Sequence, residues 1–255
     1  MKTPEGKFIF NNFQIDDVTV EEASAKIFDM IDNKKRGFVV TPNAAHFLYL
    51  KNDAKFQKAY KKASLVLPDG YSLILASRLL GTPLKERCTG VELFSAMCDR
   101  FRYEKHRIFL LGGEDGSESR AKEKLLDSNQ DLVIGTYSPP RGFENDPLEK
   151  DKIKKTINSF EADVLFVFLG SPKSEKFISE NFNSLKVTTA LSLGATLDYY
   201  SGKKKRAPGW IQNAGFEWIF RLVKEPIRLW KRYLVGNSYF LFLTFKQFFS
   251  NRSSI

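Results

Sequence analysis

Six short, almost uninterrupted apolar runs punctuate the first two hundred residues, at positions 37–40, 65–67, 107–111, 132–137, 164–169 and 187–193. They are rich in Val, Ile, Leu and Phe and lack the alternation of a strand with one wet face. They therefore predict strands buried on both sides. The stretches between them carry helix-start chemistry. Thr19 with Glu22, and Thr89 with Glu92, have the spacing of a capping box. Asp146-Pro147 with Glu149 supplies a cap, a first-turn proline and a first-turn acid, and Ser171-Pro172 predicts a further helix start. Repeated strand–helix units of this kind predict an α/β fold, a Rossmann-like parallel sheet covered by helices, over residues 1–202. From Trp210 onward the pattern is helical. Pro226 opens a new helix, Gly236-Asn237 is read as its end, and Ser238 as the cap of a last apolar segment. Residues 203–255 are thus predicted to be a helical appendage on the α/β body.

Charge sharpens that division. The chain carries a net charge of +10, and residues 203–255 hold eleven Lys/Arg against Glu217 and Glu225, leaving only +1 for the rest. All three tryptophans, Trp210, Trp218 and Trp230, also fall there. Arg221, Lys224, Arg228 and Lys231 recur at three- and four-residue steps, as one stripe would, with Ile219, Leu222, Leu229 and Tyr233 as apolar surface beside it. Such a stripe is either a solvated helix face or a surface for anionic lipid or a diphosphate held near one. No nucleic-acid-binding signature accompanies it, so nucleic acid is not expected as a partner. No run approaches the roughly 20 apolar residues of a membrane span. The first residues lack the apolar core of a signal peptide. Two cysteines, Cys88 and Cys98, are too few for a disulfide framework. These features predict a cytoplasmic protein.

Candidate chemistry gathers where the predicted strands end, which is where open parallel sheets bind ligands. Thr41-Pro42-Asn43 follows the first run and Pro68-Asp69-Gly70 the second. A Gly112–Ser117 glycine-rich turn, Gly170-Ser171-Pro172, and Gly194-Ala195-Thr196-Leu197-Asp198 follow later ones. Asp69, at the end of an apolar strand, is either a turn or cap aspartate or a base whose pKa burial raises. Asn43 is either a helix cap or a pocket residue. The Gly112–Ser117 turn can cradle phosphate with its backbone N–H groups, although it does not match the dinucleotide fingerprint. Arg87 is read as a phosphate partner or a solvated arginine. His46 is placed on a helix and His106 in a loop, neither with an evident ligand partner. No Asp-x-Asp pair, nucleophile elbow or Walker loop is present. No metal site or cofactor is expected.

Taken together, these segments resemble the WecG/TagA/CpsF glycosyltransferase family over nearly the whole chain. The resemblance rests on the motifs above, on Glu86-Arg87 with Gly90, on Glu175, and on Arg206-Ala207-Pro208, Phe216-Glu217-Trp218, Arg221-Leu222, Glu225-Pro226, Arg228 and Arg232-Tyr233. It implies an inverting, metal-independent transfer of a sugar, N-acetylmannosamine or its uronic acid, from a UDP donor to a polyprenyl-diphosphate-linked GlcNAc. It implies Asp69 as base and a pocket lined by Thr41, Asn43, Arg87, Gly112, Gly170, Pro172, Glu175, Gly194 and Asp198. Arg206, Arg221 and Arg228 are implied to come from the appendage to the diphosphate, on a protein peripheral to the inner face of the cell membrane. Glu92 replaces the family's usual Asp and Ser174 its usual Gln. A UDP-glucose donor for exopolysaccharide is the alternative within this class. A non-catalytic module binding polyanions or membranes is the alternative outside it. Homo-oligomerisation is left open.

Overall fold

The computed structural model describes residues 3 and 6–252. Its centre is a six-stranded, fully parallel sheet built from β3 (Gly37–Val40), β4 (Leu65–Val66), β5 (Arg107–Gly112), β6 (Val133–Tyr137), β7 (Val164–Phe168) and β8 (Thr189–Ser192). The strand order is β4-β3-β8-β7-β5-β6. Each predicted run matches one of these strands to within a few residues, and β5 runs one residue past its run, to Gly112. Alternate side chains feed opposite faces. Phe38, Val40, Phe109, Leu165 and Val167 enter one core, while Val39, Leu65, Leu110, Phe166 and Leu191 enter the other. Two buried faces explain the continuous apolar runs. Both capping boxes form, with Thr19 and Thr89 accepting from the backbone N–H of Glu22 and Glu92. Asp146 caps the helix Pro147–Phe160.

An element with no counterpart in the sequence reading precedes the sheet. β1 (Phe8–Phe10) and β2 (Phe13–Ile15) form an antiparallel hairpin around Asn11-Asn12. Both turn residues have positive φ, 45° and 68°, as a two-residue hairpin turn requires. The last helix, Gly236–Arg252, holds this hairpin. Gln247 accepts from the Asn11 N–H at 3.0 Å and donates to the Ile9 carbonyl at 3.0 Å. The Phe240 ring lies tilted against Phe10 with centroids 4.8 Å apart, so the last described helix completes a core begun by the first described strand.

Two expectations for the tail are corrected. Gly236 does not end a helix. Pro226–Trp230, a π-helical stretch Lys231–Val235 and Gly236–Arg252 run on as one rod. Gly236 is helical there, and a Cβ on it would meet the Ala45 Cα at 2.9 Å, so the glycine permits close packing rather than a cap. Nor do the four tail cations make one stripe. Lys224 ends the helix Glu217–Lys224, Glu225 leaves helical geometry, and the chain turns before Pro226. Arg221 and Arg228 line the central cavity, whereas Lys224 and Lys231 lie over the Phe220 and Trp230 rings. Leu229 and Tyr233 are buried, not surface.

Candidate active site

The carboxyl ends of the strands and the tail helices enclose a cavity of about 650 Å³. Asp69, Thr41, Asn43, Arg87, Gly170, Pro172, Glu175, Gly194, Asp198, Arg206, Arg221 and Arg228 all line it. Gly112 does not. A Cβ there would strike the Phe168 backbone at 2.9 Å, so this glycine allows two strands to pass closely while Gly113 and Glu114 face the cavity.

Each position follows from local bonding. The Thr41 hydroxyl donates to the Ser192 carbonyl at 3.1 Å, fixing the end of β3 against β8. Asn43 lines the cavity from a turn ahead of the helix His46–Asn52 and does not cap it: its Oδ1 accepts from the Ala45 N–H at 3.2 Å and its amide reaches His46 Nε2 at 3.4 Å. The Asp69 N–H donates to the Pro42 carbonyl at 2.9 Å, tying the two loops together. The following helix, Tyr71–Leu79, begins without a side-chain cap, and no described residue hydrogen-bonds the Asp69 carboxylate. The cap alternative for Asp69 therefore fails.

The electrostatics around Asp69 are set by opposed forces. Burial raises its pKa, Glu217 adds to the rise, and Arg221, Arg87 and Arg206 oppose it, leaving the carboxyl at about 6. Such a group is ionised at neutral pH yet basic enough to accept a proton. Arg87 and Arg206 share two acids. Arg87 lies 3.1 Å from Glu92 and 3.9 Å from Glu217, and Arg206 lies 3.3 Å from Glu217 and 3.6 Å from Glu92. Glu92 thus caps a helix and pairs two arginines. Among the described residues, no carboxylate comes within ion-pair distance of Arg221. Its guanidinium lies 5.8 Å from the Tyr199 ring.

The glycine-rich turn is not a free phosphate cradle. Asp198 accepts from the Glu114 N–H at 2.8 Å and from the Ser117 hydroxyl at 3.0 Å, and Lys204 stands 3.6 Å from it. Asp198 therefore braces one wall. Lys204 also pairs with Glu114 at 2.6 Å and Glu225 at 3.5 Å, and Glu225 pairs with Arg228. Ser174, where the family has Gln, accepts from the Leu169 N–H at 3.0 Å and is fully buried, so it supports the loop after β7 instead of reaching the cavity.

His46 does have partners. Its Nδ1 is 2.8 Å from the Tyr60 hydroxyl and its Nε2 faces Arg232 at 3.3 Å. Burial, with Arg232 beside it, holds its pKa well below the usual value, so the ring is neutral. Arg232 can only donate, so Nε2 accepts and Nδ1–H donates to Tyr60. His106 pairs with Glu104 at 2.9 Å just ahead of β5, at the amino ends of the strands and outside the cavity.

The geometry is thus a raised carboxylate beside three arginines at the end of a parallel sheet. The profile of the glycosyl transferase WecG/TagA/CpsF family matches residues 8–254. The chain belongs to this family. It is 31% identical over 80% of its length, and 77% of the relative's, to an N-acetylglucosaminyldiphosphoundecaprenol N-acetyl-beta-D-mannosaminyltransferase of Bacillus spizizenii. A Staphylococcus aureus protein of the same name is 27% identical over 87% of both chains. Glu217, Lys204, His46 and Arg232 are cavity residues of this transferase that the sequence reading did not assign to the site. Arg232-Tyr233 and Phe216-Glu217-Trp218 stood within the tail motif, and that was their only signal.

Proposed function

We propose that this glycosyltransferase moves N-acetylmannosamine from UDP to the GlcNAc of an undecaprenyl-diphosphate-linked acceptor, with inversion. The carrying observation is Asp69, ionised near neutrality and facing a cavity whose arginines come from both the body and the tail. The acceptor hydroxyl gives its proton to Asp69 as its oxygen bonds to the donor's anomeric carbon. The bond from that carbon to the UDP oxygen breaks on the opposite face. The departing diphosphate is met by Arg87, Arg206, Arg221 and Arg228, whose planar forks suit phosphate oxygens and can take a metal's part. The mannosaminyl donor follows the names of the relatives.

In this reading residues 203–255 both complete the cavity and seat the enzyme on the inner face of the membrane. Val223, Ile227, Trp210, Phe242 and Phe249 expose more than half their surface beside the tail's cations. No described helix is long and apolar enough to cross a bilayer. A thermal-shift panel of nucleotides tests the enzyme's core: UDP raises the Tm and ADP, GDP and CDP do not. Equal shifts for all four would reduce the site to a generic anion pocket.

A further inference from the structure

Three guanidiniums share the cavity with the Asp69 carboxylate, and Arg221, Arg87 and Arg206 all act on it. An arginine and a carboxylate in a sheltered cleft readily close into a forked pair. Here they do not: among the described residues, none hydrogen-bonds or ion-pairs with Asp69. Arg87 and Arg206 are held elsewhere. Each contacts both Glu92 and Glu217, at 3.1 to 3.9 Å, so the four side chains close a ring of alternating charge. Further bonds fix its corners. Arg87 donates to the Gln212 carbonyl and Arg206 to the Thr89 hydroxyl, each at 3.5 Å, and Glu92 accepts from the Thr89 N–H at 3.3 Å.

The placement of Glu217 is unusual for its segment. Residues 203–255 carry eleven Lys/Arg and only two acids, Glu217 and Glu225. Both acids line the cavity. Glu225 holds Arg228 and Lys204 there, as Glu217 holds Arg206 and Arg87. A carboxylate in a pocket for a diphosphate weakens attraction for the ligand, so it needs a separate reason. Asp69 supplies one. A guanidinium paired with Asp69 would lower its basicity and occupy the oxygens that must take the acceptor's proton. An arginine already paired with Glu217 or Glu92 leaves Asp69 open. It still has N–H groups to spare for phosphate oxygens, because a guanidinium carries five.

We infer that Glu217, with Glu92, is a positioning residue that holds Arg87 and Arg206 off the Asp69 carboxylate while leaving them within reach of the diphosphate. The inference rests on the transferase reading and gives the tail's acid a part in freeing the body's base.

The test is the pH dependence of kcat/KM for wild type, Glu217→Gln and Glu92→Gln, with UDP affinity measured by calorimetry. Glu92→Gln keeps the fold, because Gln also closes a capping box. Glu92 is not among the main charges acting on Asp69, so a moved titration in that variant reports a displaced arginine and not a lost repulsion. Tyr60 and Cys88, which also feel Asp69, are buried with raised pKa and stay neutral, so the acid limb belongs to the carboxyl. In both variants that limb moves about one pH unit below its wild-type midpoint of about 6, and plateau kcat falls about tenfold. UDP binds as tightly as to wild type or more tightly. Glu217→Asp, which keeps the charge, returns the midpoint towards the wild-type value. An unmoved midpoint in Glu92→Gln, or UDP affinity that falls in step with kcat, overturns the inference. Wild-type protein that transfers no sugar would instead overturn the transferase reading beneath it.

Discussion

Asp69→Asn exchanges a carboxylate for an amide of the same shape, and its effects on stability and on turnover have opposite signs. In the folded protein the carboxyl titrates at about 6 instead of 3.8, chiefly because burial disfavours its charge. That rise from 3.8 to about 6, at about 1.4 kcal/mol for each factor of ten, sets an upper bound of about 3 kcal/mol on the cost of holding the ionised form. Water in the open cleft reduces this to about 1–2 kcal/mol. The folded state binds the proton more tightly than the unfolded chain. The cost is therefore absent below about pH 4, grows between about pH 4 and pH 6, and is fully present at pH 7. Asn cannot ionise and escapes it. Asp69→Asn should match the wild type at pH 4 and melt about 2–6 °C higher at pH 7.5. Turnover should fall by about 10²–10⁴, the usual contribution of a general base. Differential scanning fluorimetry at the two pH values and a single-turnover assay give both readings. A variant that melts lower at pH 7.5 while keeping its turnover would show that the carboxylate is structural.

The same titration governs rate. In wild-type enzyme log kcat/KM should fall with unit slope below about pH 6, as Asp69 takes up a proton and can no longer act as base. A flat profile down to pH 5 would remove it from that role. Because arginines answer the diphosphate, EDTA at constant pH should leave turnover unchanged. Loss on chelation, restored by Mg²⁺, would place a metal in that role. Replacing Val223, Ile227 and Phe242 with serine leaves the core intact, since all three are exposed, and should abolish co-sedimentation with anionic vesicles in 0.5 M salt. Undiminished sedimentation would mean that the tail does not insert.

The sheet was legible because a strand buried on both faces needs an unbroken apolar run, and six such runs stood between capped helices. The hairpin escaped because strands of three residues give little periodicity, although Asn11-Asn12 between Phe8-Ile9-Phe10 and Phe13-Gln14-Ile15 carried the turn chemistry. Asp69 was legible as a polar residue stranded at an apolar strand's end. Its raised pKa was legible only in part, because Glu217 arrives from 148 positions along the chain. Gly236 shows a limit of another kind. A glycine at a helix end and one at a close helix contact look alike until Ala45 is seen against it. The tail's cation spacing misled because it assumed one continuous helix. The break at Glu225-Pro226 and the π-helical stretch at Lys231–Val235 decide which arginines turn inward. Glu175 and Arg232 reach the same cavity from separate helices, and no local pattern announces that meeting.

The central claim is sugar transfer onto a lipid-linked GlcNAc, and its most direct test is the product itself. Purified enzyme is incubated with UDP-N-acetylmannosamine and a GlcNAc-diphosphate-lipid analogue, and the lipid fraction is read by mass spectrometry and NMR. The account predicts one added N-acetylhexosamine in β linkage, UDP released in equal amount, and no product from Asp69→Asn on the same timescale. UDP released without a lipid-linked disaccharide, or an α-linked product, would contradict it.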